Sequence, residues 1–372
     1  MSVDIQRKIG FSRIKNLSSG DAREILERVG GVDGFYNSST RLLWERIGSQ
    51  NSFCTDASRD ALLELGRREE AFISENHINP IFITDDEYPS RLKECSDAPV
   101  MLYRLGECDL NAKHVVSIVG TRMATAYGIR FTNDLVKELA ETVDDLVIVS
   151  GLAYGIDVAS HKAALEYGVP TVGVVAHGLK MIYPADHRDI AARMVKNGGA
   201  LLTEYTSDAP VHKGNFLARN RIVAGLSDVT VVVESQAKGG AMVTASIASA
   251  YNRDVFAAPG RTTDRYSAGP LKLIASNRAA LIRSADDIVD MMNWERRDSV
   301  ATNSTLAFPT TRELDKEEQQ IVDYLRMNHG ATANDMVAAL SIPYATLSSL
   351  LMKLEMDDVI TALPGSAFSV NI

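Results

Sequence analysis

The feature that most constrains this chain is a series of short, β-branched apolar runs between His114 and Ile282, each handing over to small residues. Val115–Val119 leads into Gly120-Thr121-Arg122. Leu146–Val149 leads into Ser150-Gly151-Leu152-Ala153-Tyr154-Gly155-Ile156-Asp157. Thr171–Val175 is followed by Gly178, Val229–Val233 by Lys238-Gly239-Gly240, and Asp254–Ala257 by Pro259-Gly260; Ala200–Thr203 is a shorter run of the same kind. Strands buried on both faces read as continuous apolar runs rather than as an alternation. Between the runs, Tyr127–Thr142 carries Ile129, Phe131, Leu135, Val136 and Leu139 at helical spacing. A second helix runs on from Asp157 through Ala164 and a third covers Ala241–Tyr251. Strands alternating with helices predict an α/β fold, a Rossmann-like parallel sheet covered on both faces.

Such sheets bind ligands beyond the carboxyl ends of their strands, and the chemically informative residues collect there. Gly120, Gly151, Gly155, Gly239 and Gly240 allow close backbone approach, helix amino ends favour anions, and Arg122, Lys213, Arg219, Arg221 and Lys238 add positive charge. Phosphate is the natural ligand. No loop completes G-x-G-x-x-G or G-x-x-x-x-G-K-[ST], so the dinucleotide and nucleoside-triphosphate signatures are unmet.

The run from Tyr88 to Ile282 closely resembles the DNA processing protein A (DprA, also called Smf) family. The resemblance is carried by Tyr88-Pro89, Ala98–Tyr103, Ile118–Arg122, Ser150–Ala153, Gly155-Ile156-Asp157, His161, Tyr183-Pro184, Arg219–Ser227, Thr244-Ala245 and Pro259-Gly260. It implies an extended Rossmann-like core that binds single-stranded DNA and helps load the RecA recombinase during natural transformation, without catalytic turnover and without a cofactor or metal. It also implies a basic pocket made by the loop at Gly120, Thr121 and Arg122 and by Lys213-Gly214-Asn215-Phe216, with Lys213 on phosphate and Phe216 stacked on a base. Cations that track the backbone and an aromatic that accepts any base face suit a single strand of any sequence. Ser150, Gly151, Gly155, Arg219, Asn220, Arg221, Lys238, Gly239 and Gly240 complete the expected DNA-binding set. Of Arg219 and Arg221, one holds its helix through an ion pair and one faces the ligand; the residues leave open which. The mechanism expected from the resemblance puts amides of Gly120–Arg122 and Gly151–Gly155, with Lys213 and Arg221, on successive phosphates. A homodimer is implied as well, with Leu271, Leu273 and Ile274 as candidate interface residues, although these suit a core equally.

Two positions depart from the family pattern. Tyr154 stands where an arginine is usual, and Lys238-Gly239-Gly240-Ala241 replaces a hydroxyl-bearing S-G-[ST] turn. The same Lys238–Thr244 stretch echoes the P-G-G-x-G-T-x-x-E loop of Rossmann-like nucleotide phosphoribohydrolases. The glutamate of that loop is here Ile247, which removes the carboxylate that would stabilise an oxocarbenium-like state.

Outside the core, Met1 to about residue 75 reads as a small helical, SAM-like domain. Ser19-Gly20-Asp21 starts one helix that Gly30-Gly31 ends. Its Leu17–Ala22 segment faintly resembles a helix-hairpin-helix. Residues 76–293 are assigned to the Rossmann-like domain and 294–312, rich in Asn, Ser and Thr, to a linker. Residues 313–372 are assigned to a winged helix with a hairpin about Pro364-Gly365. Its expected recognition helix offers Ser348, Ser349 and Lys353 but no arginine, so a regulator that reads duplex DNA is the weaker alternative. The chain has 39 basic and 48 acidic residues for a net charge of −9, which argues against broad coating of duplex DNA and for a local basic patch. Three cysteines without metal-ligand spacing, no signal peptide and no membrane-length apolar run lead us to expect a cytoplasmic protein. His161, His177, His187 and His212 match no zinc spacing, and His161 reads as structural.

Overall fold

The apolar runs become the centre of one nine-stranded sheet. The computed structural model describes residues 3–297, 314–328, 331–340, 342–357, 359–363 and 367–370. The chain divides into two compact units, Met1–Arg297 and Asp298–Ile372. In the first, helices α1 (Val3–Ser12), α2 (Ser19–Val29), α3 (Gly31–Asn37), α4 (Thr40–Ile47) and α5 (Asp56–Glu75) precede β1 (Asn79–Phe82), α6 (Ser90–Lys93) and β2 (Met101–Gly106). Then come β3 (His114–Val119), α7 (Ala126–Thr142), β4 (Leu146–Ser150), α8 (Ile156–Glu166), β5 (Thr171–Val174), α9 (Arg188–Lys196) and β6 (Ala200–Thr203). The unit continues with α10 (Lys213–Leu226), β7 (Val229–Val232), α11 (Gly240–Ala250), β8 (Asp254–Ala257), α12 (Ala268–Ala275), β9 (Ala280–Leu281) and α13 (Ala285–Met291).

The strand order is β1-β2-β6-β5-β4-β3-β7-β8-β9. Strands from β6 to β9 are parallel, while β1 pairs antiparallel with β2, and β2 with β6. The chain builds outward from β3 through β4, β5 and β6, then returns to lay β7, β8 and β9 on the other side. The reversal lies between β3 and β7, and a crevice at such a switch point is where open α/β sheets bind ligands.

Alternate residues of these strands feed two cores. Val115, Val147, Val149, Val172 and Val174 face one layer, whereas Val116, Ile118, Ile148, Val229 and Val231 face the other. All are buried, and each aliphatic side chain so placed contributes about 1.5–3 kcal/mol. The amino-terminal helices share the first of these cores. Phe11 meets Phe35 edge-on at 5.2 Å and Phe82 at 6.1 Å, and the buried Glu69 carboxylate accepts from the amide and hydroxyl of Ser207. These helices are therefore continuous with the β1–β2 edge. The α2 boundaries follow local chemistry: Ser18 Oγ accepts from the Asp21 amide, and Gly30 adopts φ +83° at the other end. Trp294, at the start of the expected linker, packs with its ring 4.5 Å from the His114 ring and tilted to it, and Arg297 pairs with Asp144 at 2.5 Å; the linker residues 298–312 lie outside the described residues.

The second unit comprises α14 (Lys316–Met327), β10 (Ala331–Thr332), α15 (Ala333–Leu340), α16 (Tyr344–Met356), β11 (Ile360–Leu363) and β12 (Ala367–Val370), with sheet order β10-β12-β11. Asp315 and Glu318 form a reciprocal capping box at the start of α14. The turn at Pro364-Gly365 lies outside the described residues. Among the described residues no single helix is long and apolar enough to cross a membrane.

Candidate functional site

Three loops meet at the switch point. The loop after β3 is fixed from both sides: the Thr121 amide donates to the Glu234 carbonyl at 2.6 Å, and the Thr121 carbonyl accepts from the Ile156 amide. Gly155, at φ +79°, presses its backbone against Thr121 and Arg122, where any Cβ would collide. At Gly151 an added Cβ would lie 2.6 Å from an Arg219 nitrogen and 2.6 Å from an Asp157 oxygen. Contacts within the protein thus already require glycine at both positions. Leu152 between them holds φ +54° though fully buried. A side chain in that region stores backbone strain, as binding loops often do.

The cavity between these loops is about 110 Å³, well below the roughly 300–1,000 Å³ of pockets that enclose a small organic molecule. It suits one group of a larger ligand. Gly120, Arg122, Gly151, Phe216, Asn220 and Gly240 line it, with Arg219 and Asp157 at its base. Arg219 is 5% exposed. Its guanidinium donates to the carbonyls of Gly151, at 2.6 Å, and of Val174, so it ties β4 and β5 to α10. Burial pushes its pKa down, while burial raises the Asp157 carboxyl against the opposing pull of Arg219. The two buried charges answer each other, which leaves the exposed Arg122 as the chief free charge at the rim.

Phe216 sits one helical turn after Lys213, on the same side of α10. Its ring lies 5.7 Å from the Arg122 guanidinium and 5.7 Å from the Tyr183 ring, which is tilted by 60°. Tyr183 is 44% exposed and Leu217 55%. A half-buried aromatic with a cation and a second aromatic close by is a platform for a flat π-system carrying an anionic linker. Lys213 is exposed at the start of α10, where the His212 ring accepts from the Gly214 amide. The amino end of α11 has no side-chain cap, and Gly240 has open space above it.

The structure separates the remaining expected residues. Arg221 does not reach this cavity. Two residues on from Arg219, it emerges across the helix and pairs with the half-buried Glu204 at 2.5 Å and Asp97 at 4.0 Å. Arg221 is thus the ion-paired arginine of the two, held away from this cavity. Arg219 faces the cavity from beneath. The expected amide cradle at Gly120–Arg122 lacks the Thr121 amide, which is spent on the Glu234 carbonyl. The Glu234 carboxylate itself occupies the amino end of α7 by accepting from Thr125. Ser150 is buried and donates to the Ile118 carbonyl. Lys238 and Gly239 line a neighbouring groove instead. Tyr154 donates to Asp186 and meets His187 edge-on. Leu273 is 1% exposed and belongs to the core, so it cannot face a partner; Leu271 and Ile274 remain half-buried. Lys353 of α16 is held at 2.7 Å by Glu318, so that cation is already neutralised.

Tyr183, Leu217 and Glu234 gained no role from the residues alone. The Tyr183-Pro184 pair was visible as a motif, but nothing in the spacing places its ring against a helix thirty residues later. Glu234, an acid directly after a buried strand, was the readable signal of a buried anchor.

The family described as DNA recombination-mediator protein A matches residues 79–293, and the DprA winged helix domain matches residues 306–366. The DNA processing protein DprA of Bacillus subtilis is 42% identical over 217 residues, covering 58% of this chain and 72% of that protein. Protein Smf of Escherichia coli is 36% identical over 207 residues, 56% of this chain and 54% of that one. Among solved structures, DNA processing protein A from Streptococcus pneumoniae superposes with a TM-score of 0.63 at 31% identity, over 78% of this chain and 98% of that chain. The Helicobacter pylori protein, whose structure is described as giving insight into a unique single-stranded DNA binding mode, superposes with a TM-score of 0.53 at 30% identity, over 59% of this chain and 97% of that one. The fold, the ordered motifs from Tyr88 to Ile282 and the winged-helix unit agree with these matches, and the chain belongs to the DprA/Smf family of DNA recombination-mediator proteins.

Proposed function

We propose that this protein binds single-stranded DNA at the carboxyl end of its sheet, as a DNA-processing protein of natural transformation. The observation that carries the proposal is the Arg122–Phe216–Tyr183 platform beside a cavity sized for a phosphate. Arg122 and Lys213 hold backbone phosphates and Phe216 stacks a base. Gly120, Gly151 and Gly240 shape the cavity, Asn220 borders it and Arg219 holds its floor. A duplex keeps its base faces stacked and cannot use the aromatic surface, so the site selects unpaired strands. The membership of the family and the single-stranded DNA described for the H. pylori relative support this reading. In the same proposal the protein hands its strand to the RecA recombinase and works as a homodimer, whose paired sites raise avidity. The phosphoribohydrolase reading has less support: Glu234 is committed to α7, Asp157 is buried with Arg219, and position 247 is isoleucine.

The test is fluorescence anisotropy with labelled oligo-dT and a matched duplex at two salt concentrations, for the wild type and for Arg122→Ala and Lys213→Ala. The strand should be preferred, with binding that weakens in salt and with each substitution. Equal affinity for duplex and strand, or indifference to both substitutions, would contradict the assignment.

A further inference from the structure

Immediately beside the proposed site lies an open groove of about 570 Å³ between α11 and α12. Leu217 and Gly240 line both the groove and the phosphate-sized cavity, so the two depressions adjoin. The groove carries Lys238, Lys272 and Arg278, and no carboxylate is among its lining residues. That is notable in a chain of net charge −9. The cavity over the amino-terminal helices holds Asp21 and Glu24, and the one at the β2 edge holds Asp97 and Glu204. Lys272 and Arg278 are exposed, and the Arg278 guanidinium donates to the Ser246 hydroxyl at 3.1 Å. The floor is apolar, with Leu273 beneath and the 40%-exposed Val243 at the side. Cations along a groove with an apolar floor match a polyanion whose sugars and base faces are apolar.

Resting on the single-stranded DNA reading above, we infer that the bound strand leaves the Arg122–Phe216 site along this groove, with Lys272 and Arg278 as phosphate contacts of a second subsite. Charge complementarity and the shared lining favour a nucleic-acid strand over a second copy of the chain, which would have to bring carboxylates to the same place.

The test compares oligo-dT of about 4 and about 12 nucleotides, lengths within the range that single-strand sites span, on the full chain. The wild type should bind the longer strand more tightly. The double variant Lys272→Glu/Arg278→Glu should keep its affinity for the short strand and bind the long one about tenfold or more weaker. Its slope of log K against log salt for the long strand should fall by about 1.4, two phosphates at about 0.7 each. Light scattering on both proteins runs alongside. Unchanged long-strand affinity in the variant overturns the inference. So does a loss that tracks conversion of a dimer to a monomer, which would make the groove a self-contact surface. Failure of the wild type to bind even the short strand would instead remove the underlying reading.

Discussion

Replacing Phe216 by alanine isolates the stacking part of the proposed site. The Arg122 guanidinium and the Tyr183 ring each lie 5.7 Å from its ring, which is outside the main cores. Its loss removes one base-stacking surface, about 1–3 kcal/mol, or about 5- to 150-fold in affinity. The cation–π contact with Arg122 is lost too, at about 0.5–1 kcal/mol for an exposed pair, but chiefly from the free protein. Stability should therefore change by only about 1 kcal/mol. Stacking releases no counterions, so the salt dependence of Phe216→Ala should parallel that of the wild type, displaced to weaker binding. Arg122→Ala should instead flatten the slope by about 0.7. Anisotropy titrations with oligo-dT at four salt concentrations read both quantities. Wild-type affinity in a folded Phe216→Ala protein, or a changed slope in that variant, would refute the division of labour between ring and cations.

Arg219→Ala leaves the Gly151 and Val174 carbonyls without their donor and removes the positive charge that offsets the buried Asp157, and should cost about 3–5 kcal/mol, seen as a fall of about 10 °C in thermal melting. An unchanged melting temperature with lost DNA binding would make Arg219 a direct contact instead. His161 is fully buried and burial holds its pKa at about 3, from an ordinary 6.5. The unfolded chain therefore takes up a proton that the folded one refuses, and stability should fall by roughly 1.4 kcal/mol for each pH unit below 6.5. Denaturant titrations from neutral to acidic pH should show that slope and His161→Asn should flatten it; an identical slope in the variant would contradict it. Leu273→Asp should unfold the protein, since that side chain is core. Ile274→Asp should leave the fold intact and convert a dimer to a monomer in light scattering if α12 carries the self-contact; a persistent dimer would move that contact elsewhere.

What was legible in the chain follows from how local the cause is. Val115–Val119, Leu146–Val149 and Val229–Val233 announce themselves because burial on both faces demands uninterrupted apolar side chains, and their hand-over to glycines marks the carboxyl ends where the site lies. The antiparallel pairing of β2 with β6 was not legible, because it depends on which edge the returning chain meets. Arg219 and Arg221 are separated only by the rotational phase of α10 against the sheet, which spacing within the helix does not reveal. Gly151 and Gly155 were readable as necessary glycines, but their reason was not, since the crowding atoms come from Arg219, Asp157 and the loop at Thr121. Leu273 suited core and interface equally until the packing of α12 on β8 decided it.

The most direct test of the central claim is photo-cross-linking of the intact protein to an oligo-dT strand carrying 5-iodouracil, followed by peptide mapping. The account predicts adducts at Phe216 or Tyr183, suppressed by excess unlabelled strand and by high salt. Adducts confined to the unit beyond residue 298, or none in peptides around α10, would contradict it.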